Sequence, residues 1–210
     1  IITASHNPAN WNGFKFKSEY AGSATQEITD QLEAAIALVD RVPVSTVETG
    51  RAEGLIVDID PAPPYLERIE SLVDLGAIRA AGFKVLVDAM FGAGAGYIPQ
   101  LASGGATVAE EMHGHPNPAF PGMEQPEPIA HNLTRLRERM ANGDASVGLA
   151  LDGDADRVGV VDEKGRFITT LEVFSLLAYY LLEHKSRRGP LVKGVTSSMM
   201  LNKLGRMYGV

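Results

Sequence analysis

Short, wholly apolar runs recur along this chain with helical stripes between them, and that alternation limits what it can fold into. Lys84-Val85-Leu86-Val87 and Val147–Leu151 are too short for helices and lack a polar face, as strands buried on both sides of a sheet do. Ala106 to Glu110 predicts another strand, and Val158 to Val161 one that turns back at Lys164-Gly165. Elsewhere the apolar residues fall three and four apart. Ile28, Leu32, Ala35, Ile36 and Val39 predict a helix from Thr25 to about Val39. Leu66, Ile69, Leu72 and Val73 predict one starting at Asp60 or Pro61. Further helices are expected from Gly96 to Ser103, over Ile129–Met140, over Leu171–Leu182, and over Ser198–Tyr208, where Ser197-Ser198 reads as the cap. Phe14-Lys15-Phe16-Lys17 alternates like a short strand, and Leu191–Val195 predicts one more. Strands alternating with helices predict an α/β protein with mixed, mainly parallel sheets and flanking helices. Residues 40–63, with Pro43, Gly50, Gly54, Pro61 and Pro63, read as a linker at a domain boundary, in which Leu55-Ile56-Val57 is a candidate strand.

There is no cysteine, so a disulfide framework and thiolate metal sites are excluded, which fits a reducing, cytoplasmic setting. A formal net charge of −7 without a Lys/Arg cluster speaks against nucleic acid as a partner. No apolar run reaches the roughly 18 residues that a membrane span needs. Ile1-Ile2-Thr3 has neither an initiator Met nor a signal pattern and reads as the end of a strand, which makes the chain a fragment on this reading. The oligomeric state leaves no mark in the sequence.

Asp152-Gly153-Asp154-Ala155-Asp156-Arg157 follows the apolar run at 147–151. In an extended loop, carboxylates at alternate positions turn the same way. Three like charges held close disfavour one another, so they need a cation or must shift their pKa values. Hard oxygen ligands, without sulfur or paired imidazole, suit Mg²⁺ better than zinc. The end of an apolar strand is also where α/β sheets bind ligands. Two other readings compete. Asp152, Asp154, Asp156 and Glu163 match positions one, three, five and twelve of an EF-hand, but Arg157 stands where that calcium loop needs glycine. The bland reading is a solvated acidic turn with Arg157 as an ion-pair partner; in the functional one its guanidinium faces a phosphate oxygen.

Thr3-Ala4-Ser5-His6-Asn7-Pro8 sets a serine beside a histidine and closes with a turn pair. Alone it reads as a hydrogen-bonded turn. Joined to Lys15 and the three carboxylates, it offers the hydroxyl, the cation and the ion site that phosphoryl transfer asks for. Thr3–Pro8, then Asn12-Gly13-Phe14-Lys15, then Asp152–Arg157, with Pro116–Gly122 and Pro126-Glu127-Pro128 between, resemble the α-D-phosphohexomutase superfamily of phosphoglucomutases and phosphomannomutases over nearly the whole chain.

That resemblance implies a Mg²⁺-dependent enzyme interconverting hexose 1-phosphate and hexose 6-phosphate through a phosphoserine and a hexose 1,6-bisphosphate intermediate. It makes Ser5 the phosphorylated nucleophile and, through its phosphate, a metal ligand beside Asp152, Asp154 and Asp156. Lys15 becomes the general acid/base, Arg157 a phosphate contact, and His6 a supporting polar group. It also implies that residues 1–50 end domain I, 55–165 form domain II and 166–210 begin domain III, with the third-domain sugar loop and the fourth domain outside the sequence. The implied partner is a small-molecule sugar phosphate. Trp11–Lys17 favours glucose or mannose phosphates, with glucosamine phosphate as the alternative, and the piece alone is expected to have little mutase activity.

A metal-dependent sugar phosphatase and a non-catalytic calcium-binding module are the other functional classes this pattern admits. Phe91-Gly92-Ala93-Gly94-Ala95-Gly96 lacks the glycine spacing of a dinucleotide loop and reads as a tight strand–helix turn. His113 and His115, without a third ligand in sequence, read as surface-loop residues.

Overall fold

The computed structural model describes residues 1–210 as two compact units. One comprises Ile1–Thr3 and Asn12–Asp74; the other comprises Ala4–Trp11 and Leu75–Val210.

In the first unit, the Ile1 ammonium donates to the Lys15 carbonyl at 2.9 Å and the Lys15 amide donates to the Ile1 carbonyl at 2.8 Å. Pairing goes no further than isolated bridges, Ile2 with Phe14 and Lys17 with Ser23, so the alternation at 14–17 does not become the strand it predicts. Alternation specifies a strand only where a neighbouring backbone continues the ladder. Helix α1 (Gln26–Ile36) follows, and the region read as a linker contains a short helix, α2 (Val47–Ala52), before α3 (Ala62–Leu72). Leu55-Ile56-Val57 is no strand either. The amides of Leu55 and Ile56 both donate to the Gly50 carbonyl and so close off the end of α2.

The second unit is built on one sheet. Its strands are β1 (Lys84–Asp88), β2 (Val108–Met112), β3 (Val147–Leu151), β4 (Val158–Asp162) and β5 (Phe167–Ile168), in the order β2-β1-β3-β4-β5. β1 runs parallel to β2 and β3, while β4 is antiparallel to both β3 and β5. The six residues between β3 and β4 are too few for a crossover, so that connection can only be a hairpin. The sheet is therefore mixed in equal parts. Short helices α4 (Leu75–Ala80) and α5 (Tyr97–Ala102) flank β1 in sequence, and α6 (Thr134–Asn142) joins β2 to β3. α4 has no counterpart in the sequence pattern.

α6 covers one face of the sheet. Leu133, Leu136 and Met140, three and four apart, are wholly buried against Leu86, Ala150 and Val161. A second cluster, Ala178, Leu182, Leu201 and Leu204, joins α7 (Thr170–Glu183) to α8 (Met199–Tyr208). Leu191–Val195 forms no strand: Val192 is 82% and Val195 99% exposed, and no sheet edge pairs with them. Because β1, β2 and β3 are parallel, Asp88, Met112 and Leu151 end at one edge of the sheet, and the site lies there. No helix is long and apolar enough to cross a membrane.

Candidate active site

The acidic hexapeptide is the loop of the β3–β4 hairpin, entered from Leu151 and left at Val158, which pair with each other. It is not extended. The Ala155 amide donates to the Asp152 carbonyl at 3.0 Å, and Ala155 takes a left-handed φ of 61°. A turn, rather than the period-two alternation of an extended loop, brings the three carboxylates together. One oxygen from each of Asp152, Asp154 and Asp156 lies within 4.8 Å of the others.

Their environments differ. Asp152 is fully buried, Asp154 half-buried, and Asp156 exposed. Burial raises the Asp152 carboxyl above its usual range, and the charges of Asp154 and Asp156 push the same way. The Arg157 amide, donating to Asp152 Oδ1 at 2.9 Å, and the Ser5 hydroxyl oppose that shift. A carboxylate buried beside two others, with one oxygen of each gathered in one place, is what a divalent cation would relieve, and the all-oxygen donor set suits Mg²⁺.

Ser5, 147 residues from Asp152 in sequence, completes this cluster. Its Oγ lies 3.0 Å from Asp152 Oδ2 and 3.1 Å from Asp154 Oδ1. A hydroxyl has one proton to donate, so the two acceptors share it. Ser5 sits at a left-handed φ of 53°, a conformation a non-glycine residue adopts at some cost, in a turn closed by the Asn7 amide on the Ala4 carbonyl. His6 Nδ1 stands 3.5 Å from Ser5 Oγ. Arg157 Nε is 4.0 Å from Asp152 Oδ2 and 3.9 Å from Asp156 Oδ1.

The structure thus brings together Ser5, His6, Arg157 and the three aspartates. Lys15 belongs to the other unit, where its backbone pairs with Ile1. Glu163, the twelfth position of the EF-hand pattern, follows the far end of β4, opposite the acidic turn, so that pattern is coincidental.

Three features received no site role from the sequence pattern. The first is the glycine-rich turn after β1. The Ala93 amide donates to the Gly153 carbonyl at 2.9 Å, and a Cβ on Gly92 would come within 2.7 Å of that oxygen. The turn is a bed for the acidic loop, which explains glycine there more fully than strand–helix geometry alone. The second corrects the reading of His113 as a surface-loop residue. Its side chain is 13% exposed, and Nδ1 bonds Asp88, itself buried at the end of β1, at 2.8 Å. A buried carboxylate needs partners, and this imidazole joins the Met90 amide, which donates to the same Asp88 Oδ1 at 2.9 Å. The third is Glu127, which stands between His6 and Arg157.

The geometry agrees with comparisons to known proteins. Residues 63–165 match the family model described as phosphoglucomutase/phosphomannomutase, alpha/beta/alpha domain II, and residues 1–41 match the one described as domain I of the same family. The chain belongs to the phosphohexomutase superfamily. A phosphoglucomutase/phosphomannomutase of Thermococcus kodakarensis is 33% identical over 211 residues, covering 100% of this chain and 44% of the relative. A Pyrococcus furiosus protein named as a phosphoglucosamine mutase is 32% identical over 201 residues, covering 96% of this chain and 42% of the relative. Among solved structures, a Thermus thermophilus protein named as a phosphomannomutase superposes with a TM-score of 0.86 at 31% identity, over 99% of this chain and 46% of that one. The chain therefore spans under half the length of the curated relatives it matches.

Proposed function

We propose that this chain carries the phosphoserine and metal-binding part of a phosphohexomutase that interconverts hexose 1-phosphate and hexose 6-phosphate. The observation that carries the reading is the approach of Ser5 Oγ to both Asp152 and Asp154, two groups brought together only by folding. In this mechanism a phosphoryl group on Ser5 is transferred to the free hydroxyl of a sugar monophosphate. The P–Oγ bond breaks as a P–O bond to the sugar forms, and the resulting bisphosphate returns its other phosphoryl group to Ser5. Asp152, Asp154, Asp156 and the oxygen at Ser5 would hold Mg²⁺, which when bound supplies neutralising charge at the phosphoryl oxygens. Arg157 offers a guanidinium to those oxygens, His6 orients the serine loop, and Lys15 is the candidate proton carrier. Residues 1–50, 55–165 and 166–210 are proposed as the end of domain I, domain II and the start of domain III.

Glucose and mannose phosphates are the proposed substrates, on the strength of Trp11–Lys17 and of relatives named as phosphoglucomutase/phosphomannomutase. Glucosamine phosphate is the second reading, favoured by relatives named as phosphoglucosamine mutases. Turnover of the three sugar 1-phosphates by the full-length enzyme separates them.

The deciding test is intact mass and peptide mapping of that enzyme, with Ser5→Ala assayed alongside. Phosphate is expected on Ser5, and the variant should lose activity by at least about 10³-fold, as loss of a covalent nucleophile does. An unphosphorylated Ser5 together with full activity in Ser5→Ala would overturn the assignment. Release of free phosphate without isomerisation would make the enzyme a phosphatase instead.

A further inference from the structure

Pro126-Glu127-Pro128 packs against the acidic hairpin at two points. Pro126 is fully buried, and a Cβ on Gly153 would sit 3.1 Å from its Cγ; a Cβ on Gly159 would sit 2.5 Å from the Pro128 carbonyl oxygen. A residue between two prolines has little conformational freedom, since the following ring restricts it to extended backbone. The Glu127 carbonyl also accepts from Asn132 Nδ2 at 2.9 Å and from the Ile129 amide at 2.8 Å.

Its carboxylate is divided between two tasks. Oε2 accepts from Gln125 Nε2 at 2.6 Å, which fixes the plane of the group. Oε1 stands 3.6 Å from Arg157 Nη1 and 4.0 Å from His6 Nε2, so one oxygen faces both the imidazole that borders Ser5 and the guanidinium that borders the aspartates. On its other side, Arg157 Nε is 4.0 Å from Asp152 Oδ2 and 3.9 Å from Asp156 Oδ1. Without a counter-pull, a guanidinium beside three carboxylates would settle on them and occupy the oxygens a cation needs. Glu127 is the only carboxylate outside the triplet that this guanidinium meets in these contacts, and it is the nearest of the three.

We propose that Glu127 is a positioning residue for phosphoryl transfer: its locked carboxylate holds the Arg157 guanidinium off the metal-binding triplet and turns His6 so that Nδ1 faces the Ser5 oxygen. The inference rests on the phosphohexomutase reading and adds to it a group that touches neither sugar nor ion. Groups behind the reacting residues commonly act this way, by fixing orientation before the charge moves.

The test uses the full-length enzyme, Glu127→Gln, Arg157→Gln and the double variant, with Mn²⁺ alone as the ion probe. Glu127→Gln keeps the size of the side chain and removes its charge. We expect kcat to fall about 10–100-fold with KM for the sugar phosphate within about threefold, the pattern of a displaced catalytic group. In the free protein Mn²⁺ should bind several-fold more weakly, and Arg157→Gln should raise Mn²⁺ affinity more in the Glu127→Gln background than in the wild type. That coupling separates an anchor from a simple change in net charge, which would add independently. Glu127→Asp, which retains the charge one methylene further back, should keep more kcat than Glu127→Gln and also covers the case in which the latter fails to fold. Wild-type kcat in Glu127→Gln, additive Mn²⁺ effects, or an Asp variant worse than the Gln variant would each overturn the proposal. A failure of the mutase reading itself is distinguishable, because it appears in Ser5→Ala whatever Glu127 does, and the Mn²⁺ cycle needs no turnover.

Discussion

Apolar side chains end up in different places in the two units. In the unit that contains the sheet, Leu133, Leu136, Met140 and Val161 are wholly buried; in the other, Gly50 is the one buried residue, and Leu38 and Val44 stand 84% and 92% exposed. The serine loop makes the difference instructive. Residues 4–11 are joined at both ends to the exposed unit, at Thr3 and Asn12, yet they fold with the buried one. The role proposed for Ser5 requires a side chain that is held still, and rigidity comes from what a loop packs against rather than from its neighbours in sequence.

The largest test of this contrast is in the core. Leu136→Ala should cost about 2–5 kcal/mol, the range for a leucine truncated where the surroundings cannot collapse. Leu38→Ala should stay within about 0.5 kcal/mol, as exposed substitutions do. Chemical denaturation of both variants reads the difference. Comparable losses would mean that Leu38 is covered in the folded enzyme and that the contrast belongs to this stretch of chain alone.

A glycine pair comes next. Gly153 has no room for a Cβ, which would run into the Ser5 carbonyl oxygen and so push the serine loop off the acidic turn. Gly153→Ala should cost about 1–3 kcal/mol, as overpacking does, and should also abolish stabilisation by added Mg²⁺. Gly54, at φ +71° with nothing within 4 Å, carries only the left-handed backbone penalty, so Gly54→Ala should cost about 1 kcal/mol and leave the Mg²⁺ response intact. Thermal shift with and without Mg²⁺ checks both. A retained Mg²⁺ response in Gly153→Ala would show that Ser5 can leave the cluster without harm to ion binding.

The legible parts of this protein are those whose physics is local. The apolar run at Val85–Val87 announces a strand buried on both faces, and the stripe of Leu133, Leu136 and Met140 announces the buried side of α6, because period and burial share one cause. Leu191–Val195 has the same strand-like composition but no edge to pair with, so composition misleads there. At the site, the spacing of Asp152, Asp154 and Asp156 announces a cluster of carboxylates, although the turn that gathers them includes the left-handed Ala155. That Ser5 meets these residues is invisible to spacing, since the contact spans 147 residues; only the resemblance of the motifs pointed to it. Glu127 and the Gly92 turn were hidden for a related reason. Glycine signals a close approach and glutamate a charge, but neither says what will be approached.

The smallest effect concerns two helix caps, one in each unit. Thr169 and Glu172 form a reciprocal box at the start of α7: the Glu172 amide donates to Thr169 Oγ1 at 3.2 Å, and the Thr169 amide donates to Glu172 Oε2 at 2.8 Å. At α2, Thr46 Oγ1 accepts from the Thr49 amide at 3.1 Å. Thr169→Ala should cost on the order of 1 kcal/mol at neutral pH. Hydrogen bonds from the Thr169 amide and then its hydroxyl hold the Glu172 carboxyl below its usual range. A lowered folded pKa stabilises above the ordinary carboxylate range and loses that contribution as pH falls through the lowered value. The variant loses the hydroxyl but keeps the amide, so the difference in melting temperature between wild type and Thr169→Ala should shrink steadily on acidification. Thr46→Ala should cost less and show itself mainly as faster hydrogen exchange at Thr49, because α2 has six residues and only Gly50 among them is buried. If the two threonine variants cost the same, a cap's worth is set by its own hydrogen bonds, and the packing behind the helix contributes nothing to it.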